Sequence, residues 1–483
     1  MRHLIGRLAL VVALPLAAGA QAKGKQKADA AAAVLAALDG QSAHYAEVAK
    51  QIWGFAELGY QEVRSSALLR SELTAAGFRV DSGVAGIPTA FTATYGSGRP
   101  VVAIVGEFDA LPGLSQDATP EKKAIIEGGA GHACGHHLFG TASVAAAVAV
   151  KNWMAANAIA GTVRFYGTPA EEGGSGKVYM VRDGLFNDVD AVVSWHPGDQ
   201  NSADPHSTLA NVGAKFRFHG VSAHAAAAPD KGRSALDGIE AMDNMVNMMR
   251  EHVPSDTRIH YVITNGGRAP NVVPDFAEVY YYARHNDMRV LDGIWERILN
   301  ASKGAALGTG TTVDVEVIGA VWNVLPNETL SRVQMKNLQR VGGVTYTPEE
   351  LAFAERLQTT LSGPVPPPTQ AATVIPWEGI GVTSASSDMG DVSWTVPTVQ
   401  LSAATWVPGT PAHSWQAVAA GGTSIGAKGM MVAAKTISLT VLDLFTDPSI
   451  ITAARREFDQ RRGPDFRYTT RLAGRKPALD YRK

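Results

Sequence analysis

From residue 23 to residue 80 apolar positions recur every three or four residues, through "KGKQKADAAAAVLAALDG" and "YAEVAKQIWGFAELGYQEVRSSALLRSELTAAGFRV". That rhythm predicts two helices broken near Gly59. The pattern then changes to short, almost wholly apolar runs: "VVAIVG" (101–106), "GTVRFYG" (161–167), "VDAVVSW" (189–195) and "TVQLSA" (398–403). Runs of this length, alternating with helical stretches, predict a buried, mostly parallel α/β sheet. Between about 210 and 325 the rhythm changes again. "NVGAKFRFHG", "RIHYVITNGG", "FAEVYYYARH" and "TVDVEVIG" read as strands, while "GRSALDGIEAMDNMVNMMREHV" and "VLDGIWERILNASKGAAL" read as helices. The order βαββαβ predicts a ferredoxin-like unit. Apolar strands and a long helix, "AVAAGGTSIGAKGMMVAAKTISLTVLDLF", return after it, so the unit is expected to be an insertion. The predicted organisation is an α/β domain in two parts, 28–209 and 326–446, around a module at 210–325, with a tail at 447–483. The proline-rich "TLSGPVPPPTQ" (360–370) predicts an irregular surface loop.

The N-terminus adds a destination. A basic start (Arg2, His3, Arg7), the apolar "LALVVALPLAAGA" and the small-residue triplet "AQA" read as a secretory signal over residues 1–22. The expected protein is periplasmic or secreted, with no membrane span, since no later stretch reads as the ~18–20 consecutive apolar residues a span needs. About 460 residues then remain, more than one core usually supports. A formal net charge of −2 argues against nucleic acid or an anionic membrane as partner. Beyond Asp447 there are ten Arg or Lys against four Asp or Glu; a solvated tail packed on its own domain is the expectation. A single cysteine, Cys134, cannot form an intramolecular disulfide and needs another purpose.

The chemistry gathers at strand ends. "VVAIVG" runs into Glu107, Phe108 and Asp109, "GTVRFYG" into "TPAEE" with Glu171 and Glu172, and "VDAVVSW" into His196. Ligand sites of open α/β sheets lie beyond the carboxyl ends of the strands, so these residues are expected to share one crevice. A loop, "WVPGTPAHSW", offers His413, and "GHACGHHLFG" offers Cys134 and His136 just before a helix. Sulfur, imidazole and carboxylate together are donors for zinc, and manganese accepts the nitrogen and oxygen members. Alone, Cys-x-His suggests only a buried inert thiol; joined to the carboxylate pair and two further histidines it points to metal. Two adjacent carboxylates after a buried strand repel unless a cation is near. One can bind metal while the other handles the proton of an activated water, which is hydrolytic chemistry.

The set "EFDALPGLSQ", "GHACGHHLFGTA", "GTPAEEGGSGK", "WHPG", "GVSAHAA", "NVVPD", "SSDMGDVSW" and "PAHSW" resembles the aminoacylase and carboxypeptidase-type dinuclear metallohydrolases. Within them it is most similar to the amidohydrolase branch that holds the indole-acetyl-amino-acid and aminobenzoyl-glutamate hydrolases. The resemblance runs collinearly from about residue 40 to 470. It implies a catalytic domain of zinc-peptidase type with an inserted lid and dimerisation domain, two divalent ions, manganese or zinc, and a homodimer. The implied metal ligands are Cys134, His136, Glu172, His196 and His413, with Glu171 as general base and acid and Asp109 supporting a ligand from behind. His224 would stabilise the oxyanion of a partner subunit's site, and Asn271 and Arg284 would hold a substrate carboxylate. Such types suit such roles: imidazole donates to a developing oxyanion, and guanidinium grips carboxylate in bidentate fashion. His137 departs from the aspartate or asparagine usual at its place.

The function this implies is an exported metal-dependent amidohydrolase that cleaves the amide between an acyl or aroyl group and an amino acid, with an aminobenzoyl-glutamate-like or N-acyl amino acid substrate. The alternatives are a broad dipeptidase or carboxypeptidase, and an exported binding protein that has lost catalysis. The intact Glu171–Glu172 pair weighs against the last.

Overall fold

The computed structural model describes residues 16–482, with side chains from Ala28 onward. The expected signal, 1–22, falls outside them for its first fifteen residues and then runs into helix α1 (Leu16–Gly40). Helices α2 (Ser42–Phe55) and α3 (Val63–Ala75) follow. The break near Gly59 is there, although the expected two helices are three, because Gln41 also parts α1 from α2; Ala56 turns left-handed (φ 45°) and closes α2 by donating its N–H to the Ile52 carbonyl. Strands β1 (Arg79–Ser82), β2 (Phe91–Ser97) and β3 (Val101–Gly106) lead to helix α4 (His136–Ala156). After β4 (Gly161–Gly167), α5 (Gly176–Arg182) and β5 (Ala191–Gly198), the chain leaves the central sheet.

The inserted domain runs β6 (Ala210–His219), α6 (Ala235–Met249), β7 (Arg258–Asn265), β8 (Phe276–His285), α7 (Met288–Thr309), β9 (Thr312–Val321). Its strands pair in the order β9-β6-β8-β7, all antiparallel. Along β8 every second residue is buried, because α6 and α7 cover one face only. The chain then returns through α8 (Glu328–Val341), α9 (Pro348–Gln358), β10 (Thr398–Ala404), α10 (Trp415–Gly421), α11 (Ser424–Thr446) and α12 (Pro448–Arg462).

The central sheet has the order β1-β2-β4-β3-β5-β10, with β4, β3, β5 and β10 parallel and β1 and β2 antiparallel at one edge. All six residues of β3 are buried. Val102 and Ile104 enter the core shared with α4 and α11, whereas Val101, Ala103 and Val105 enter the one shared with α5 and the inserted domain. One strand thus serves two cores through its period of two.

Two further expectations, in the core, need correction. The single helix expected over 417–445 is two, since Thr423 caps α11 by accepting from the Ile425 N–H, and Gly422 lies so close to Trp53 that a Cβ would sit 2.7 Å from the indole. By length and composition α4 and α11 are also apolar enough to cross a membrane, against the expectation for later runs. They are instead core helices, with 72% and 83% of those stretches buried inside the protein.

The tail also behaves differently. Residues 463–482 do not stay on the domain they leave: Arg471 pairs with Asp292 of α7, and Arg475 donates to the Val317 carbonyl of β9.

Candidate metal centre

Four segments deliver side chains to one end of the parallel strands. Glu107 and Asp109 follow β3 directly, and both are 1% exposed. Glu171 and Glu172 follow β4 in a turn where Ala170 (φ 57°) and Ser175 (φ 58°) take the left-handed conformation, at about 1–3 kcal/mol each for non-glycine residues. Side chains from elsewhere hold that turn. The Ala170 N–H donates to Glu62 Oε1 (2.8 Å), the Glu172 N–H to Asp109 Oδ2 (2.9 Å), and the Tyr60 hydroxyl to the Gly174 carbonyl (2.6 Å).

Cys134 and His136 flank Gly135, the left-handed residue (φ 72°) before α4. A Cβ at Gly135 would lie 2.6 Å from Pro197, so glycine alone allows this loop to press against β5 and bring Cys134 Sγ within 3.5 Å of His196 Nε2. The His413 N–H donates to the Ala133 carbonyl (2.9 Å), which docks that loop against the cysteine loop.

The electrostatics follow from burial and crowding. Burial would lower His136, but Cys134, Glu107 and Asp109 hold it well above its ordinary value; its Nδ1 lies 2.8 Å from Asp109 Oδ1. Burial likewise would raise Asp109, yet His136 keeps it low. Burial, then Glu107 and Glu172, push Glu171 well above the usual carboxylate range. Burial raises the Cys134 thiol and lowers His196. A cation already stands in the cluster: Lys177, fully buried on α5, lies 2.7 Å from Glu107 Oε1 and 2.6 Å from Asp388 Oδ1. Those two carboxylates hold it above its ordinary value despite burial.

Ligand atoms of Cys134, His136 and His196 lie within 4.8 Å of one another, and so do those of Cys134, Glu172 and His413. The two triples share the sulfur. A third group, Glu107, His136 and Glu171, meets the same test. His136 Nε2, Glu107 Oε2 and Glu172 Oε1 are buried without a well-formed hydrogen bond, although His136 Nε2 lies 3.0 Å from Glu107 Oε2 and Glu172 Oε1 lies 3.1 Å from His413 Nε2. Unsatisfied buried donors and acceptors of this kind are costly in a closed protein interior, and a thiol, imidazoles and carboxylates converging on two points fit two metal ions.

Of the expected site residues, the five proposed ligands and Glu171 come together. His224, Asn271 and Arg284 do not join them by any hydrogen bond or ion pair among the described residues. His224 and Asn271 are exposed neighbours on the inserted domain, where the Ala225 N–H donates to the Asn271 carbonyl (3.0 Å) and His224 bridges to Val272. Arg284 lies over the Tyr282 ring on β8 with its Nε buried and unpartnered. His137 points away from the cysteine, its Nε2 3.0 Å from the Gly421 carbonyl. Lys177 and Asp388 escape a reading of the sequence, although both lie in quoted motifs, "GTPAEEGGSGK" and "SSDMGDVSW". The available sign is a lysine five residues past a carboxylate pair.

The model of "Peptidase family M20/M25/M40" matches residues 103–418. The chain is 42% identical over 450 residues to a p-aminobenzoyl-glutamate hydrolase subunit of Escherichia coli (strain K12), covering 88% of this chain and 94% of that protein. It is 30% identical over 427 residues to the Xaa-Arg dipeptidase of Mus musculus, covering 85% and 88%. Among solved structures, a dinuclear metal-binding peptidase of Bacillus subtilis shares the fold at 16% identity, with a TM-score of 0.59, over 84% of this chain and 99% of that one.

Proposed function

The chain belongs to peptidase family M20/M25/M40 and is a metal-dependent amidohydrolase, and from that premise we propose that it cleaves the amide between an acyl or aroyl group and an amino acid bearing a free carboxylate, aminobenzoyl-glutamate first among them. The observation that carries this reading is the pairing of two ligand triples that share Cys134 with an adjacent carboxyl, Glu171, pushed up by burial and neighbouring charge. Divalent ions held by Cys134, His136, Glu172, His196 and His413, manganese or zinc, would polarise the scissile carbonyl and acidify water.

Glu171 takes the proton of the attacking water, the water oxygen bonds to the carbonyl carbon, the C–N bond breaks, and the same carboxyl returns the proton to the leaving amine. A carboxyl with a raised pKa suits both transfers near neutral pH. Asp109 fixes the ring of His136 through Nδ1. In a homodimer, His224 of one subunit donates to the oxyanion formed in the other, and Asn271 and Arg284 hold the substrate carboxylate. The exposed position of His224, apart from its own chain's cluster, supports action across a dimer. The protein acts in the periplasm or outside the cell, after loss of residues 1–22. A broad dipeptidase reading draws on the likeness to the Xaa-Arg dipeptidase.

The test is hydrolysis by purified protein lacking residues 1–22, stripped by chelator and reloaded with manganese or zinc, of aminobenzoyl-glutamate, N-acyl amino acids and dipeptides. Metal-restored cleavage of aminobenzoyl-glutamate above the dipeptides is expected. Preference for Xaa-Arg dipeptides moves the assignment to the second reading. Retention of ligand without turnover, with metal bound, overturns the catalytic one.

A further inference from the structure

The turn that presents Glu171 and Glu172 has a weak point in its backbone. Glu172 (φ −69°, ψ 66°) precedes Gly173 (φ 89°), and glycine accepts either sign of φ. The peptide between them is therefore free, as far as its own sterics go, to flip, which would turn the Glu172 carbonyl away and loosen the backbone that carries both carboxylates. What opposes the flip comes from the far end of the chain. The Glu172 carbonyl accepts from the Tyr481 hydroxyl (2.9 Å) and from the Arg482 guanidinium (2.5 Å). The latter is a charge-assisted bond. Tyr481 reaches the turn edge-on to Tyr60, which itself holds the Gly174 carbonyl. The route is open because residue 59 is glycine: a Cβ there would stand 2.2 Å from the Tyr481 hydroxyl.

The segment that carries these two residues is anchored along its length. Phe466 packs between Trp322 and Trp394 at the junction of the domains. Arg471 and Arg475 grip the inserted domain, the latter also lying 3.3 Å from Glu316. Gln61, just before α3, donates to the Leu479 carbonyl (2.7 Å). The basic tail thus runs from inserted domain to carboxylate turn with a fixed point at each end.

We propose that residues 463–482 form a strap, that Tyr481 and Arg482 are positioning residues for the Glu171–Glu172 turn, and that the strap ties this turn to the inserted domain. Tyr481 and Arg482 matter to catalysis only if Glu171 and Glu172 are the working carboxylates, as proposed above. Their hold on the backbone is independent of that.

The experiment compares the wild type with Tyr481→Phe, Arg482→Lys, the double variant Tyr481→Phe/Arg482→Ala, and Arg475→Ala, all in the full chain. Hydrogen exchange of the 171–175 amides in metal-free protein reads the turn directly; in the double variant it is expected to quicken roughly tenfold or more, while core amides of β3 and β4 keep their protection. In the manganese-loaded protein, loss of metal to excess chelator quickens in parallel, and kcat on aminobenzoyl-glutamate falls about 10- to 100-fold with KM within about twofold. Arg482→Lys keeps the charge and retains part of the effect. Arg475→Ala moves the same amides by a smaller factor, because it acts only through the strap.

Turn amides exchanging at the wild-type rate in the double variant would overturn the proposal. Where the double variant fails to fold, Tyr481→Phe alone decides, since it removes one hydroxyl: faster turn exchange supports the strap and an unchanged rate overturns it. Wild-type protein silent towards every substrate, with the turn loosened in the variants, would fault the substrate reading and uphold the strap.

Discussion

The central sheet and the inserted sheet treat the same kinds of side chain in opposite ways. In the first, β3, β4, β5 and β10 run parallel and are buried on both faces, so polar groups can leave only at the strand ends; there Glu107, Asp109, Glu171, Glu172 and His196 crowd until Lys177 must sit among them. In the second, the strands are antiparallel with one face open, and His224, Asn271 and Arg284 lie spread along loops and strand with no ionic partner of their own among the described residues. Crowding tunes acidity, and spreading leaves groups available to a substrate or a second subunit. On the proposed reading, the first sheet serves proton transfer and the second serves reach.

The sharpest way to break that contrast is to disable each region separately. Glu171→Gln is expected to lower kcat by about 10²- to 10⁴-fold with both metals still bound by elemental analysis. His224→Ala is expected to lower kcat by about 10²-fold or more, the cost of losing one oxyanion donor. Mixed after subunit exchange, the two variants should regain about a quarter of wild-type activity, since half the dimers then hold one intact shared site. No regain with exchange demonstrated would place His224 in its own chain's site.

A second measurement probes the crowding itself. Lys177→Met leaves Glu107 and Asp388 facing each other without a cation, and thermal or denaturant unfolding should show a loss of about 3–5 kcal/mol. A loss below ~1 kcal/mol would mean that the cluster is not held together by that charge.

The last measurement lies where the two sheets meet. Asp391 accepts from the Trp322 N–H at the end of the inserted domain and from the Tyr468 hydroxyl of the strap, and burial pushes its carboxyl up to about 7. The native state therefore binds this proton more tightly than the unfolded chain, whose aspartate titrates at about 3.9. Its contribution to stability is whole below that value and is lost as pH rises towards about 7. Asp391→Asn should flatten the fall in unfolding free energy across this window. Curves that stay parallel would show that the junction does not titrate there.

Legibility followed range. β3 and β4 carry the predicted bounds, and β8 shows the alternation written in "FAEVYYYARH", since each depends on neighbours a few residues away. The antiparallel strands β1 and β2 escaped because "RVDS" is short and mostly exposed and "FTATYGS" ends in polar, exposed residues. The ligand cluster was readable because strand ends announce where side chains emerge. The partnership of Lys177 with Asp388 was not, because it spans 211 residues and no local pattern encodes it. His224, Asn271 and Arg284 were visible only through resemblance, being ordinary polar residues on an open surface.

The strap bears on how the chain matures as it is made. Glu172 and Arg482 are 310 residues apart, so wherever the chain folds from its N-terminal side first, the carboxylate turn is in place before its clamp arrives. In that interval the parallel strands and α4 can collapse while the Glu172–Gly173 peptide is still unclamped. The turn is then fixed late, by a distant segment that closes over strands already formed, and a mutation that slows the docking of residues 463–482 would delay the site without touching it.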